Sequence, residues 1–131
     1  MNVAEHLDSV LDKVESHSLV RKVHVRSNHV SFKRGYIRLV ATFADDSELH
    51  LFEYVNSQLK KVEYAYHYQQ PSGTLIFRYD NAQHYPGLDS FPHHKHVAGQ
   101  ETPQSSSEME VNQVLKEITR ILAKKGNNLL H

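Results

Sequence analysis

Between Leu19 and Asp80 the chain alternates apolar and polar residues in five successive runs, separated by breaks of only three or four residues. No other feature constrains the fold as strongly. Alternation with period two places successive side chains on opposite faces of a strand. Breaks this short leave no room for a crossover, so consecutive strands must pair antiparallel. The runs are 19–32, 36–43, 48–55, 59–69 and 74–80, and the breaks "KRG", "ADDS", "NSQ" and "QPSG" are turn sequences. Gly35 in the first break is available for a positive φ.

Apolar residues at helical spacing flank the strand region. Val3, Leu7, Val10, Leu11 and Val14 predict a helix over 3–14, with Asn2 as N-cap. Val111, Val114, Leu115, Ile118 and Leu122 predict a second, with Ser107 and Glu110 as a capping box, Lys124 and Lys125 at its negative end and Gly126 at C′. The expected architecture is α+β: a five-stranded antiparallel sheet packed against N- and C-terminal helices, with a long histidine-rich loop, 81–106, before the last helix. One domain is expected over 1–131, with 97–106 a flexible connection and 126–131 a tail.

Composition narrows the setting. There are no cysteines, hence no disulfide and no thiolate-bound metal, which fits a cytoplasmic address. No apolar run approaches the roughly 18 residues that span a bilayer, and the N-terminus lacks the apolar core of a signal peptide, so no membrane partner is expected. Net charge is zero, yet from Ser16 to Ala44 there is no acid, only Arg21, Lys22, Arg26, Lys33, Arg34 and Arg38 among the charged residues. One part of the surface is thereby expected to be locally basic.

Four of the 11 histidines fall within residues 77–97: His84, His93, His94 and His96. Imidazole binds metals and moves protons near neutral pH. With Asp80 these residues could offer zinc its ligands, but in an extended segment His93 and His94 point apart, and their spacing matches no helical zinc motif. No metal site and no cofactor are therefore assigned.

Glu53 shares the face of Leu49, Leu51 and Val55. A carboxylate in apolar register must be paired, near a rim or shifted in pKa, and Arg78 is its expected partner. Such a group is a candidate general acid or base. Tyr64, Tyr66 and Tyr68 form a ladder that could stack on bases, although tyrosines at strand spacing are more often half-buried sheet residues. Arg78 with Asp80 and Asn81 closes the last strand: the Asx residues can accept backbone N–H groups, and Arg78 can hold a carboxylate or a phosphate.

The stretch "RYDNAQHYPGLDSFPHHKHV" (78–97) resembles the signature of the TumE family, toxins of two-gene toxin–antitoxin systems. The likeness rests on Arg78, Asp80, Asn81, Ala82, His84, Pro86, Phe91, Pro92, His93, His94, Lys95 and His96; "ELHLFEYV" with Glu53, and "YAYHYQ" (64–69), are also similar to family segments. Gln83 and Tyr85 depart from the pattern, so no role that needs a histidine at 85 carries over. The resemblance implies a toxin neutralised by a cognate helix-turn-helix antitoxin encoded beside it, but no catalytic assignment. Analogy with toxins of similar size suggests a metal-independent ribonuclease.

On that expectation Glu53, Arg78, Asp80, His94 and His96 are the candidate catalytic residues, with His94 or His96 and Glu53 as acid and base. Tyr64, Tyr66, Asn81, His84, His93 and Lys95 are the candidate substrate contacts. RNA and a second copy of the chain are further candidate partners. Two alternatives stay open: a non-enzymatic binding protein whose histidine-rich loop is structural and whose main partner is the antitoxin, and a histidine-liganded, metal-dependent nuclease.

Overall fold

The computed structural model describes residues 1–129, with side chains in the last helix described through Gly126. The chain runs α1 (Val3–Glu15), β1 (Val20–Val30), β2 (Arg34–Phe43), β3 (Glu48–Asn56), β4 (Lys61–Gln69), β5 (Leu75–Asp80), β6 (His94–Val97), β7 (Gln104–Ser105) and α2 (Val111–Leu129). The strands form one antiparallel meander in chain order. The α+β class and the two flanking helices are as expected, but the sheet has seven strands, not five. The expected histidine-rich loop is interrupted by β6 and β7, which pair on beyond β5. These strands escape a search for alternation because they have four and two residues, and because one of the two β6 residues on the helix side is Lys95.

Both helices cover one face of the sheet. Val3, Leu7, Val10 and Val14 of α1 and Val111, Val114, Leu115 and Ile118 of α2 pack on Leu39, Phe43, Leu51, Tyr66 and Phe77. Burial at this seam supplies the main driving force, at about 25 cal/mol per Å² of apolar surface. Among the described residues no helix covers the sheet's other face.

Local signals act largely as their chemistry dictates. Asn2 caps α1, accepting from the Glu5 N–H at 2.8 Å while the Glu5 side chain accepts from the Asn2 N–H at 3.2 Å. Gly35 is needed for close approach rather than for a positive φ: a Cβ there would meet Val3 Cγ1 at 2.8 Å and the His29 carbonyl at 2.7 Å. α2 begins later than the Ser107–Glu110 pair predicts, at Val111, and Gln113 reaches back to accept from the Glu110 N–H at 2.8 Å. The helix also passes through Gly126, so the expected tail is helical to Leu129, and 130–131 lie outside the described residues. An irregularity where β3 pairs with β4 reverses one pair of faces: Lys61 is buried and Val62 exposed. Among the described residues no helix is long and apolar enough to cross a membrane.

Candidate functional site

The register of the sheet builds two polar clusters, one on each face. On the open face, His50 of β3 pairs with His67 of β4, His67 with Arg78 of β5, and Arg78 with His96 of β6. Residues directly opposite in an antiparallel pair have Cβ atoms roughly 4.5–5.5 Å apart. Four polar side chains thus form a continuous row across four strands. The adjacent row holds Arg38, Phe52, Ala65, Asp80 and His94.

The hydrogen bonds fix how these groups are presented. Asp80 is buried, and its Oδ2 accepts from Arg78 Nε at 2.9 Å while Oδ1 accepts from the Ala82 N–H at 2.9 Å. Oδ1 also lies 2.9 Å from His94 Nε2. The Pro92 carbonyl, 3.0 Å from His94 Nδ1, can only accept, so Nδ1 carries a proton and Nε2 is the nitrogen turned to Asp80. His94 is 2 % exposed with both nitrogens committed. It holds Asp80, which in turn aims Arg78.

His67 and His96 flank the guanidinium. Arg78 donates to His67 Nδ1 at 3.3 Å, which leaves the His67 proton on Nε2, donated to Gln69 Oε1 at 3.1 Å. Burial, then the Arg78 charge, lowers the pKa of His67. His96 is also lowered, by burial and then by His94, with Asp80 opposing. Both imidazoles therefore favour the neutral form. Tyr85 packs edge-on over His94 and His96, with centroids 5.0 and 5.8 Å away. A shallow cavity of about 520 Å³ opens beside the row, lined by Arg26, Arg38, Phe52, His50, His67 and Arg78 among others.

One oxygen of Asp80 and one ring nitrogen from each of His94 and His96 converge within 4.8 Å, close enough to hold a metal ion. A cation there would sit between His94 Nε2 and the Asp80 carboxylate, beside the Arg78 guanidinium.

The second cluster lies under the helices. Glu53, 0 % exposed, accepts from Tyr66 Oη at 2.7 Å and from His6 Nε2 at 3.0 Å. Burial alone would raise its pKa; the His6 hydrogen bond, the Lys61 charge and the Tyr66 hydroxyl more than offset this and hold it below the usual carboxylate range. Burial, then the Glu53 charge, pushes the Tyr66 hydroxyl far up. Lys61 is itself buried, 3.0 Å from Glu110 and donating to the Met109 carbonyl.

Of the five candidate catalytic residues, the structure brings Arg78, Asp80, His94 and His96 together and separates Glu53 from them. Glu53 is on the helix face and its partners are His6 and Tyr66, not Arg78. The expected Glu53–Arg78 pair is therefore corrected: apolar register meant the covered face, and Arg78 has the opposite register. Tyr64 and Tyr66 are likewise buried there at 1 % and 0 %, closed to a substrate. Lys95 is turned to the helices and paired with Glu117 at 2.8 Å. Asn81 accepts from the Tyr64 N–H and donates to the Val62 carbonyl, pinning β5 to β4. His93 bonds the Tyr64 hydroxyl at 2.9 Å, and His84 is exposed beside Tyr85. Sequence reasoning missed His50 and His67. Their alternation placed them opposite Leu51 and Tyr66, but only the pairing register aligns them with Arg78.

A family model described as "Toxin TumE" matches residues 7–123. No curated protein and no solved structure matches the chain.

Proposed function

The chain belongs to the TumE family of toxins, and from that premise we propose that it is a ribonuclease acting through the open sheet face. The observation that carries the reading is the registered row His67–Arg78–His96, a cation between two imidazoles. Arg78 holds a backbone phosphate; its planar fork suits that group. His96, which makes no side-chain hydrogen bond among the described residues, takes the proton of the 2′-hydroxyl. The 2′-oxygen bonds to phosphorus, the P–O5′ bond breaks, and the leaving 5′-oxygen receives a proton from the other side of Arg78, where His67 stands. The products are a 2′,3′-cyclic phosphate and a 5′-hydroxyl. The phosphate's negative charge opposes the Arg78 charge that depresses His67, and so favours the protonated donor. His94 and Asp80 are positioning residues. Glu53 and Lys95 have no place in this scheme.

The toxin family implies an antitoxin partner in general. The reading extends this to a helix-turn-helix antitoxin encoded beside the gene, in a cytoplasm where RNA is the target.

The test is induction in cells with and without the neighbouring gene, followed by extraction of total RNA. Wild type is expected to arrest growth and fragment RNA only without the antitoxin, and His67→Ala, Arg78→Ala and His96→Ala are expected to do neither while accumulating as folded protein. Arrest with intact RNA would favour a non-enzymatic binding protein. Fragmentation by all three variants would remove the row from the chemistry.

A further inference from the structure

The cavity beside the row has a shape and a charge that phosphate binding leaves unexplained. Its floor is Ala65, the smallest side chain on the open face of β4. One wall is Arg38, whose guanidinium lies 4.0 Å over the Phe52 ring. A guanidinium already stacked on an aromatic ring presents its other face as a flat platform, and nucleobases stack on such planes. Arg78 is the diagonal neighbour of Ala65, because Ala65 pairs with Asp80. Diagonal neighbours across a sheet are roughly 7–8 Å apart, about the reach of a nucleotide from phosphate to base.

The third element is Glu63. The open face carries three carboxylates around this cavity. Glu48 is engaged by His50 and Gln69, and Asp80 by Arg78, His94 and the Ala82 N–H. Glu63 lines the cavity and makes no side-chain hydrogen bond or ion pair among the described residues. A free carboxylate beside a phosphate anchor weakens phosphate binding unless the ligand brings donors to it. Two adjacent N–H donors on one edge match a carboxylate's two oxygens. Guanine presents such a pair, N1–H and the 2-amino group; adenine, cytosine and uracil do not.

We propose that the recess over Ala65 is a nucleobase subsite, in which a guanine stacks on Arg38 and donates its N1–H and 2-amino group to Glu63. This rests on the ribonuclease reading only for its biological use; binding itself can be measured without cleavage.

The experiment titrates the full chain with guanosine, adenosine, cytidine and uridine 5′-monophosphates, following backbone amide shifts and affinity. GMP is expected to bind about tenfold tighter than the other three, the lower range for a bidentate contact at an open site, with shifts centred on Ala65. In Glu63→Gln the preference is expected to vanish. In Glu48→Gln, which changes a committed carboxylate on the same face, it is expected to persist. Equal affinity for all four nucleotides, no binding at all, or a preference that survives Glu63→Gln would overturn the subsite. The two readings fail separately. RNA cleaved without base preference, together with equal nucleotide binding, sinks the subsite and leaves the ribonuclease. GMP preference with uncut RNA keeps the subsite and sinks the ribonuclease.

Discussion

Glu53 and Asp80 are both buried carboxylates of the same sheet, at 0 % and 5 % exposure, yet they belong to different machines. Glu53 faces the helices, where His6 of α1, Tyr66 of β4 and the nearby charge of Lys61 complete a closed set of partners. Asp80 faces away from them and passes its bonding outward, through Arg78, to a cavity open to solvent. The difference shows that burial of a charge does not by itself mark a functional group. What matters is whether the chain of hydrogen bonds ends inside the protein or at its surface.

The sharpest way to break this comparison is to remove one member from each side. His96→Ala is expected to lower RNA cleavage about 10²- to 10⁴-fold, the usual worth of an acid–base group, with the thermal midpoint little changed because the ring is partly exposed and makes no side-chain hydrogen bond among the described residues. Initial rates and a melting curve on the same preparation check both halves. Glu53→Ala is expected to do the reverse. It leaves His6 and Tyr66 without their acceptor and Lys61 without the nearby carboxylate charge, and should cost about 3–5 kcal/mol in urea unfolding, with the rate per folded molecule retained.

Acid separates the faces again. The folded-state pKa of Glu53 lies below its unfolded value, so its stabilisation is present above the ordinary glutamate pKa, about 4.3, and is lost as pH falls through the lower folded value. Unfolding free energy measured from pH 6 to pH 3, about the lowest practical range, should fall less steeply in Glu53→Gln. On the open face, His67 sees Arg78, His50 and Gln69, and His96 sees His94, Asp80, Arg78 and Tyr85. Both are lowered from the ordinary 6.5. One must be neutral and one protonated, so kcat/KM should peak on the acid side of that value, and a maximum above it would contradict the assignment.

The smallest effect distinguishes two cations. Arg78→Ala should reduce the salt slope of RNA binding by about one. Lys95→Ala, which removes the mostly buried pair with Glu117 and the ammonium over the Phe77 and Tyr79 rings, should leave the slope unchanged and show its effect in stability alone.

The strands from β1 to β5 and both helices were legible because alternation and helical spacing are local properties, set by which side chains each element buries. β6 and β7 were not, being too short to show a period and having polar side chains inward or exposed. The site was half legible for the same reason. Arg78, Asp80, His94 and His96 could be singled out by residue type and resemblance. Glu53 misled, since an acid in apolar register looks alike whether it seals a core or lines a cleft. His67 went unnoticed because its link to Arg78 and His96 exists only across strands, in a register that turns and irregularities decide.

The most direct measurement is the chemistry of the cut ends. Purified, untagged protein is incubated with RNA in excess chelator, and the new termini are identified. Cleavage is expected to survive the chelator and to leave 2′,3′-cyclic phosphate and 5′-hydroxyl ends, and to be lost in His96→Ala and Arg78→Ala. Intact RNA, or cleavage that requires an added divalent metal and leaves 5′-phosphate ends, would contradict the proposed chemistry.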